Sequence, residues 1–360
     1  MADPDDVAGA ALGDAVAALA TSRQMLALFG GTASIGWAVT QLADGDVAQM
    51  VCSRVDAALE QAVDNDAWPY DLIAGITGFG VYALARGTEG QHLASRVVRA
   101  LGRRARPRPV GLAWHTAPTT LPASQRAEAP RGYWNLGVAH GTPGVIAFLA
   151  RCVAAGVERD LATTLLEGSV EFIRAVGGGA DGARYGARYG ARYGAWITGA
   201  EDGAETEATP SPALAWCYHD LGVALALLSA ASVTGRSRWQ EDALALARDC
   251  AGRSETEAQI RGSSVCHGAA GAGHMFLRLH HATGEGVFAD AARRWIERAL
   301  DMDPPLAEAA TAEEAAARRR DPSVLSGAAG VALALHAAIS DEEPTWDGRL
   351  LVDVAGLPRG

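Results

Sequence analysis

The stretch HGTPGVIAFLA, residues 140–150, opens with a Gly-x-x-Gly turn and continues into an uninterrupted apolar run. Glycine allows two backbones to approach closely where a helix begins, and the apolar run indicates a buried helix after the turn. The same pattern recurs in AGITGFGVYALA (74–85), HGAAGAGHMFL (267–277) and SGAAGVALALH (326–336). Degenerate copies are FGGTASIGWAV (29–39), with Gly31 in first place, and WCYHDLGVALALL (216–228), with His219 in first place.

Between these copies lie amphipathic segments such as RWQEDALALARDCAG, residues 238–252, which are typical of outer helices. With 49% hydrophobic and only 6% aromatic residues, the composition favours helix over strand. Helical hairpins of this kind cannot bury their faces alone, so we expect one shared core and a single all-α domain over residues 1–360. Residues 1–25 would form a degenerate first hairpin, with a helix over 5–20, and 177–212 a long flexible loop.

The formal net charge of −11 argues against a nucleic-acid-binding protein, because neutralising phosphates requires clustered positive charge. The chain contains no lysine, which excludes lysine-based catalysis. No apolar run approaches the roughly 20 residues that span a bilayer, and the acidic N-terminus does not resemble a secretory signal. We therefore expect a cytoplasmic protein without a transmembrane segment, whose five cysteines stay reduced.

Three copies of the repeat contain cysteine or histidine residues that a purely structural glycine turn does not need. Cys217, the adjacent pair Cys266 and His267, and His140 all stand at or just before a turn. A circular arrangement of inner helices would direct them to one centre. Two thiolates and one imidazole suit zinc, and three protein ligands leave a fourth tetrahedral position open, as in catalytic zinc sites.

The segment ARYGARYGARYG, residues 183–194, repeats one four-residue unit three times. Its arginines and tyrosines could form a basic, aromatic surface that holds an acidic or extended peptide. Its low complexity favours the simpler interpretation of a flexible insert.

The motifs NLGVAHGTPGVIAFLA, AWCYHDLGVALALL, VCHGAAGAG and VLSGAAGVALAL follow one another in this order, with YDLIAGITGFGVYALA upstream and TWDGRLLV near the end. Together they resemble the lanthionine synthetase C-like (LanC-like) family of lanthipeptide cyclases, over residues 26–352. The resemblance implies an α/α toroid, a double ring of inner and outer helices with six to seven hairpins. It also implies one zinc ion per chain, held by Cys217, Cys266 and His267.

Family members form thioether rings by adding cysteine thiols to dehydroalanine or dehydrobutyrine in a precursor peptide. The resemblance implies that His140 and Asp71 are the acid–base residues and that Tyr218 lies beside them. A histidine is suited to protonate the enolate formed by thiol addition, because its pKa lies near neutral pH. The implied partner is a dehydrated precursor peptide, with a dehydratase and transporter complex at the membrane surface as a candidate assembly.

Two residues depart from the family pattern. His219 stands where glycine usually follows the WCY motif; its ring would either point away from the site or reach zinc as a fourth ligand. Ala213 replaces an arginine common in catalytic members, and His274 is expected near the site because its spacing faces it inward. Two other functions therefore stay open: addition of a small thiol such as glutathione to dehydro residues, and a zinc-stabilised, non-catalytic peptide-binding scaffold.

Overall fold

The computed structural model describes residues 4–21, 25–178, 191–201, 210–302 and 321–354. Most of these residues are helical, and the strands are two or three residues long, so the predicted all-α class is confirmed. The chain divides into two compact units, one of residues 1–106 and 148–166, the other of residues 107–147 and 167–360. The single domain over 1–360 stays a prediction.

The first unit is built from helical hairpins. In it, α1 packs on α2, α2 on α3 and α4, and α5 on α3 and α4. Helix α1 covers the residues expected to form a helix before the first glycine motif. The bounds are Pro4–Thr21 (α1), Thr32–Leu42 (α2), Gly45–Ala62 (α3), Ile76–Ala85 (α4) and Gln91–Arg104 (α5).

Short strands and a six-residue helix follow α5. Strands β3, β4 and β5 form an antiparallel sheet in that order, with Trp134 opposite Ile197. Strand β5 lies inside the segment predicted as a flexible loop, of which 179–190 and 202–209 lie outside the described residues. The bounds are Arg106–Pro107 (β1), Leu112–Ala113 (β2), His115–Thr116 (β3), Ala123–Glu128 (α6), Tyr133–Asn135 (β4) and Trp196–Thr198 (β5).

Two of the later inner helices, α9 and α12, are largely buried, whereas α10 and α13 are amphipathic and α14 buries only part of its surface. Helix α9 is buried without interruption from Asp220 to Ala231, as expected of an inner helix, whereas its partner α10 buries one face. Helix α12 packs against α9, α13 and α14. Bounds are Thr142–Ala155 (α7), Arg159–Val176 (α8), His219–Thr234 (α9), Ser237–Gly252 (α10), Glu255–Ala258 (α11), Ala269–Thr283 (α12), Gly286–Met302 (α13) and Ala328–Ile339 (α14), followed by a 3₁₀ turn, Thr345–Leu350.

Among the described helices, none is both long and apolar enough to cross a membrane.

Each glycine motif closes a tight turn at the start of an inner helix. Before α12, the amide of Ala269 donates to the carbonyl oxygen of Gly262, with an N···O distance of 2.9 Å. A Cβ atom at Gly271 would overlap the carbonyl oxygen of Val265, and one at Gly268 would meet backbone atoms of the same turn. Glycine is therefore required by close backbone approach, as the sequence pattern predicted.

Neighbouring repeats are joined by backbone hydrogen bonds at one equivalent position, two residues before the first place of each motif. We call this set the inter-repeat ladder. Its bonds among the described residues, with N···O distances, run from Phe29 to Ile73 (3.4 Å), Ala139 to Cys217 (3.3 Å), Cys217 to Cys266 (3.4 Å) and Cys266 to Leu325 (2.9 Å). Ladder positions in consecutive repeats are thus held side by side whatever side chains they carry.

Helix α9 begins at His219 with a φ angle of 70°, in the left-handed region that glycine tolerates and other residues rarely adopt. Glycine, which is usual at this position in the family that the sequence resembles, adopts such a φ angle without steric strain. A hydrogen bond of the imidazole offsets part of this backbone strain, because Nδ1 lies 3.3 Å from the carbonyl oxygen of Tyr193 and can donate to it. His219 therefore combines backbone strain with one hydrogen bond.

Substituting His219 separates these two contributions. Both His219→Gly and His219→Ala lose the bond to Tyr193, but only glycine relieves the left-handed strain. We expect the glycine variant to exceed the alanine variant by about 1 kcal/mol in free energy of unfolding, measured by denaturant titration. An alanine variant equal to or more stable than the glycine variant would contradict the strained conformation.

Candidate metal centre

The inter-repeat ladder brings together two cysteines that are distant in sequence. Cys217 and Cys266 occupy ladder positions of consecutive repeats, and the amide of Cys217 lies 3.4 Å from the carbonyl oxygen of Cys266. The Sγ atoms of both residues and a ring nitrogen of His267 all lie within 4.8 Å of one another. The cysteines are half-buried and His267 is exposed. The structure therefore brings together the three residues predicted as zinc ligands.

Hydrogen bonds within the cluster converge on the sulfur of Cys217. A hydrogen bond from the Cys266 thiol, followed by one from His267, lowers the pKa of Cys217 to about 5 against the opposing effect of burial. The same bonds raise the pKa values of Cys266 and His267, which act as donors to the thiolate. Two cysteine sulfurs and an imidazole in this arrangement fit zinc, which binds thiolate and neutral imidazole tetrahedrally.

His140 lies half-buried in the turn that packs against Cys217. It directly precedes the first motif glycine, the place that His267 holds in its own repeat. The neighbouring amide of Ala139 donates to the carbonyl oxygen of Cys217 at 3.3 Å. The turn carrying His140 is therefore tied by its backbone to the turn carrying a candidate ligand.

Tyr218 is held by the same turn. Asn135 donates through Nδ2 to the Tyr218 hydroxyl at 3.4 Å and accepts the amide of Gly137 on Oδ1 at 2.9 Å. Trp196 of β5 contacts the Tyr218 ring edge-on, with centroids 6.3 Å apart. These contacts give the phenol ring a defined position beside Cys217.

Asp71 belongs to the first unit and is 9% exposed. Its Oδ1 accepts the amide of Ala74 at 2.8 Å, within the turn that precedes α4. Its acid–base role stays a prediction.

The two uncertain histidines lie outside the three-residue cluster. His219 directs Nδ1 to the carbonyl of Tyr193, and burial lowers its pKa. His274 is 1% exposed, and its Nε2 lies 2.8 Å from Oδ2 of Asp347. The inward orientation expected for His274 is observed, but its partner is a carboxylate. Whether His219 acts as a fourth ligand stays a hypothesis.

The last ARYG unit is anchored to Asp220, in the first turn of the helix that follows Cys217. Asp220, three residues after Cys217, is completely buried and accepts the amides of Arg192 and Tyr193 on its carboxylate at 2.9–3.1 Å. The buried Tyr193 hydroxyl donates to the carbonyl oxygen of Ile173 at 3.1 Å. This unit is thus part of the folded structure, while units 183–190 lie outside the described residues.

Arg253 neutralises the buried carboxylate. Burial raises the pKa of Asp220, and the Arg253 guanidinium, which pairs with it, works in the opposite direction. Arg253 also contacts Asp249 at 2.7 Å and donates to the carbonyl oxygen of Pro212 at 2.9 Å. Arg253, which directly follows α10, is therefore hydrogen-bonded to Pro212, the residue before Ala213.

Sequence reasoning missed Asn135, Asp220 and Arg253. Asp220 could have been noticed from the local sequence, because it follows a candidate ligand in the first turn of a helix. An acidic side chain there interacts favourably with the helix dipole. Asn135 and Arg253 had none, because their partners are remote in sequence.

Two comparisons place this geometry among known proteins. The family described as "Lanthionine synthetase C-like protein" matches residues 2–351. The structure is similar to that of nisin cyclase, with a TM-score of 0.73 and 17% sequence identity over 94% of this chain and 83% of that chain. The likeness confirms the predicted α/α-toroid fold. Since the family match covers nearly all of the sequence, the chain belongs to the lanthionine synthetase C-like protein family.

Proposed function

We propose that this protein is a zinc-dependent peptide cyclase that forms thioether rings in a dehydrated precursor peptide. Family membership and the fold shared with nisin cyclase support the reaction class. The observation that carries the proposal is the cluster of Cys217, Cys266 and His267, whose ligand atoms lie within 4.8 Å of one another.

The cluster is suited to hold one zinc ion through two thiolates and one imidazole, leaving one coordination position for a substrate thiol. When bound, zinc keeps such a thiol deprotonated at neutral pH and so supplies a thiolate nucleophile. The protein's own contribution is to hold Cys217 and Cys266 side by side through the inter-repeat ladder.

The overall reaction adds S–H across a carbon–carbon double bond. The sulfur forms a bond to the β-carbon of dehydroalanine or dehydrobutyrine, and the α-carbon of the resulting enolate takes up one proton. We assign the delivery of that proton to His140, whose turn is bonded to Cys217. Tyr218, fixed by Asn135, is placed to orient the substrate, and Asp71 is the candidate for relaying the released proton.

One observation favours a second candidate, the zinc-stabilised peptide-binding scaffold. His219 stands two residues after Cys217, at a position where the family usually carries glycine. If the His219 ring blocks the fourth coordination position, then His219→Gly should produce a large gain in cyclisation or in the accessibility of the site to added thiols. Full activity of the unchanged protein would rule the scaffold out.

Metal analysis provides the first test. The purified protein should contain about one zinc ion per chain, and Cys217→Ala should lose it, since two remaining ligands bind zinc weakly. Cys250→Ala is the matched control because Cys250 is a fully buried thiol outside the cluster. A folded protein without metal, or equal zinc loss in both variants, would refute the site.

Replacing the proposed proton donor should separate catalysis from metal binding. We expect His140→Asn to lower the rate of cyclisation by about 10²–10⁴-fold, the usual contribution of a general acid, while the zinc content stays unchanged. Mass spectrometry after thiol alkylation would follow ring formation on a dehydrated peptide. His336→Asn, at an exposed histidine of α14, should retain full activity. Unchanged turnover in His140→Asn would remove its assigned role.

A further inference from the structure

The 3₁₀ turn Thr345–Leu350 contacts both segments that carry the candidate zinc ligands. On one side, Asp347 binds His274 of α12, the helix that directly follows Cys266 and His267. On the other side, the carbonyl oxygen of Leu350 accepts the indole N–H of Trp216, the residue before Cys217, at 2.8 Å. Six residues therefore bridge the two ligand-bearing segments.

The contact with α12 is a buried ionic network. His274 and Asp347 are each 1% exposed, and Nε2 of His274 lies 2.8 Å from Oδ2 of the carboxylate. At this distance Nε2 of the imidazole can donate a hydrogen bond to the carboxylate oxygen. Arg278, one turn further along α12, places Nε 3.1 Å from the same oxygen, and Trp346 packs on the imidazole with ring centroids 4.7 Å apart.

This network is poorly optimised for stability. Among the described residues, Nδ1 of His274 and Oδ1 of Asp347 are buried and have no hydrogen-bond partner. Leaving such groups unpaired costs free energy, and apolar side chains of similar size often stabilise a core more than a buried ion pair does. What a directional pair adds is a defined relative position of the 3₁₀ turn and α12.

The contact with the Cys217 segment is equally well defined. Trp216 is 1% exposed, so its indole N–H depends on the Leu350 carbonyl for a partner. Leu351, directly after the turn, adopts a φ angle of 61° although it is not glycine. A buried leucine holds such a conformation only where the surrounding contacts impose it. The end of the turn is thus fixed against Trp216.

We propose that the 3₁₀ turn Thr345–Leu350 is a positioning clamp for the metal centre. Asp347 and the Leu350 carbonyl fix the segment ending at Cys217 relative to the helix that follows Cys266 and His267. The clamp contacts no ligand directly and acts through His274 and Trp216. The inference rests on the zinc site of the proposed function and adds its positioning residues.

The first test measures zinc affinity in Asp347→Asn by competition with a chromophoric chelator, at a temperature where the protein is folded. Loosening the ligand-bearing segments should weaken zinc binding by about 10-fold, the lower end of the effect of residues that support metal ligands. Replacing zinc by Co²⁺ should also shift the visible absorption bands, which report ligand geometry. Unchanged affinity with unchanged Co²⁺ bands would overturn the clamp.

Asp242→Asn is the matched control for loss of an ion pair. Asp242 accepts from Nε of Arg174 at 2.8 Å and links α8 to α10, neither of which carries a ligand. This variant should lower the midpoint of thermal unfolding but keep zinc affinity within about 2-fold. An equal loss of zinc affinity in both variants would show a general effect of destabilisation and would also overturn the clamp.

Trp216→Phe tests the contact between Trp216 and Leu350, and it replaces Asp347→Asn as the test if that variant does not fold. It removes the indole N–H while keeping an aromatic ring, and it should weaken zinc binding and shift the Co²⁺ bands in the same way. Trp295→Phe is its control, because the buried Trp295 Nε1 has no hydrogen-bond partner among the described residues. Equal zinc affinity in the two tryptophan variants would contradict the inference.

The outcomes for the clamp and for the proposed function are distinguishable. If the unchanged protein binds no zinc, the proposed function fails and the clamp fails with it. If it binds zinc and forms thioether rings while Asp347→Asn and Trp216→Phe retain full zinc affinity and unchanged Co²⁺ bands, only the clamp is wrong.

Discussion

Backbone hydrogen bonding between equivalent positions of neighbouring repeats is the constraint on which the candidate metal centre depends. The inter-repeat ladder uses amides and carbonyl oxygens, so it forms with phenylalanine, isoleucine, alanine, leucine or cysteine in the ladder position. Side chains at that position are consequently free to vary without loss of the turn. Two consecutive positions occupied by Cys217 and Cys266 are enough to place two sulfur atoms together. Thus, the candidate centre combines these two cysteines with the neighbouring His267 on a repeated scaffold.

The fold was predictable because its determinants are local and repeated. Glycine pairs mark the turns, and each apolar run after them marks a buried helix, as α9 and α12 show. The clustering of Cys217, Cys266 and His267 was predictable for the same reason, since they share nearly the same offset from a motif. In a repeat protein, residues at the same position of neighbouring repeats lie close together even when they are far apart in sequence. A single residue considered without the repeat does not indicate this proximity.

The supporting contacts were not predictable, because each joins residues that no periodicity relates. Asp347 contacts His274, which is 73 residues away in sequence, and Trp216 donates a hydrogen bond to Leu350, which is 134 residues away. Nothing in the local sequence of either partner indicates the other. The left-handed backbone of His219 could not be predicted for a different reason. In the sequence, histidine in place of glycine is only a difference in side chain. The structure shows that this histidine also has a strained backbone conformation.

The anchoring of the last ARYG unit has a consequence for how this region can evolve. Asp220 binds the amides of Arg192 and Tyr193, atoms that any residue but proline provides, and the pocket next to it holds one tyrosine. Every unit of the repeat offers that same tyrosine in the same local sequence. Gaining or losing whole units before Ala191 therefore leaves the anchored tetrapeptide identical. Replication slippage can lengthen or shorten this insert in steps of four codons while the tetrapeptide bound by Asp220 keeps its sequence.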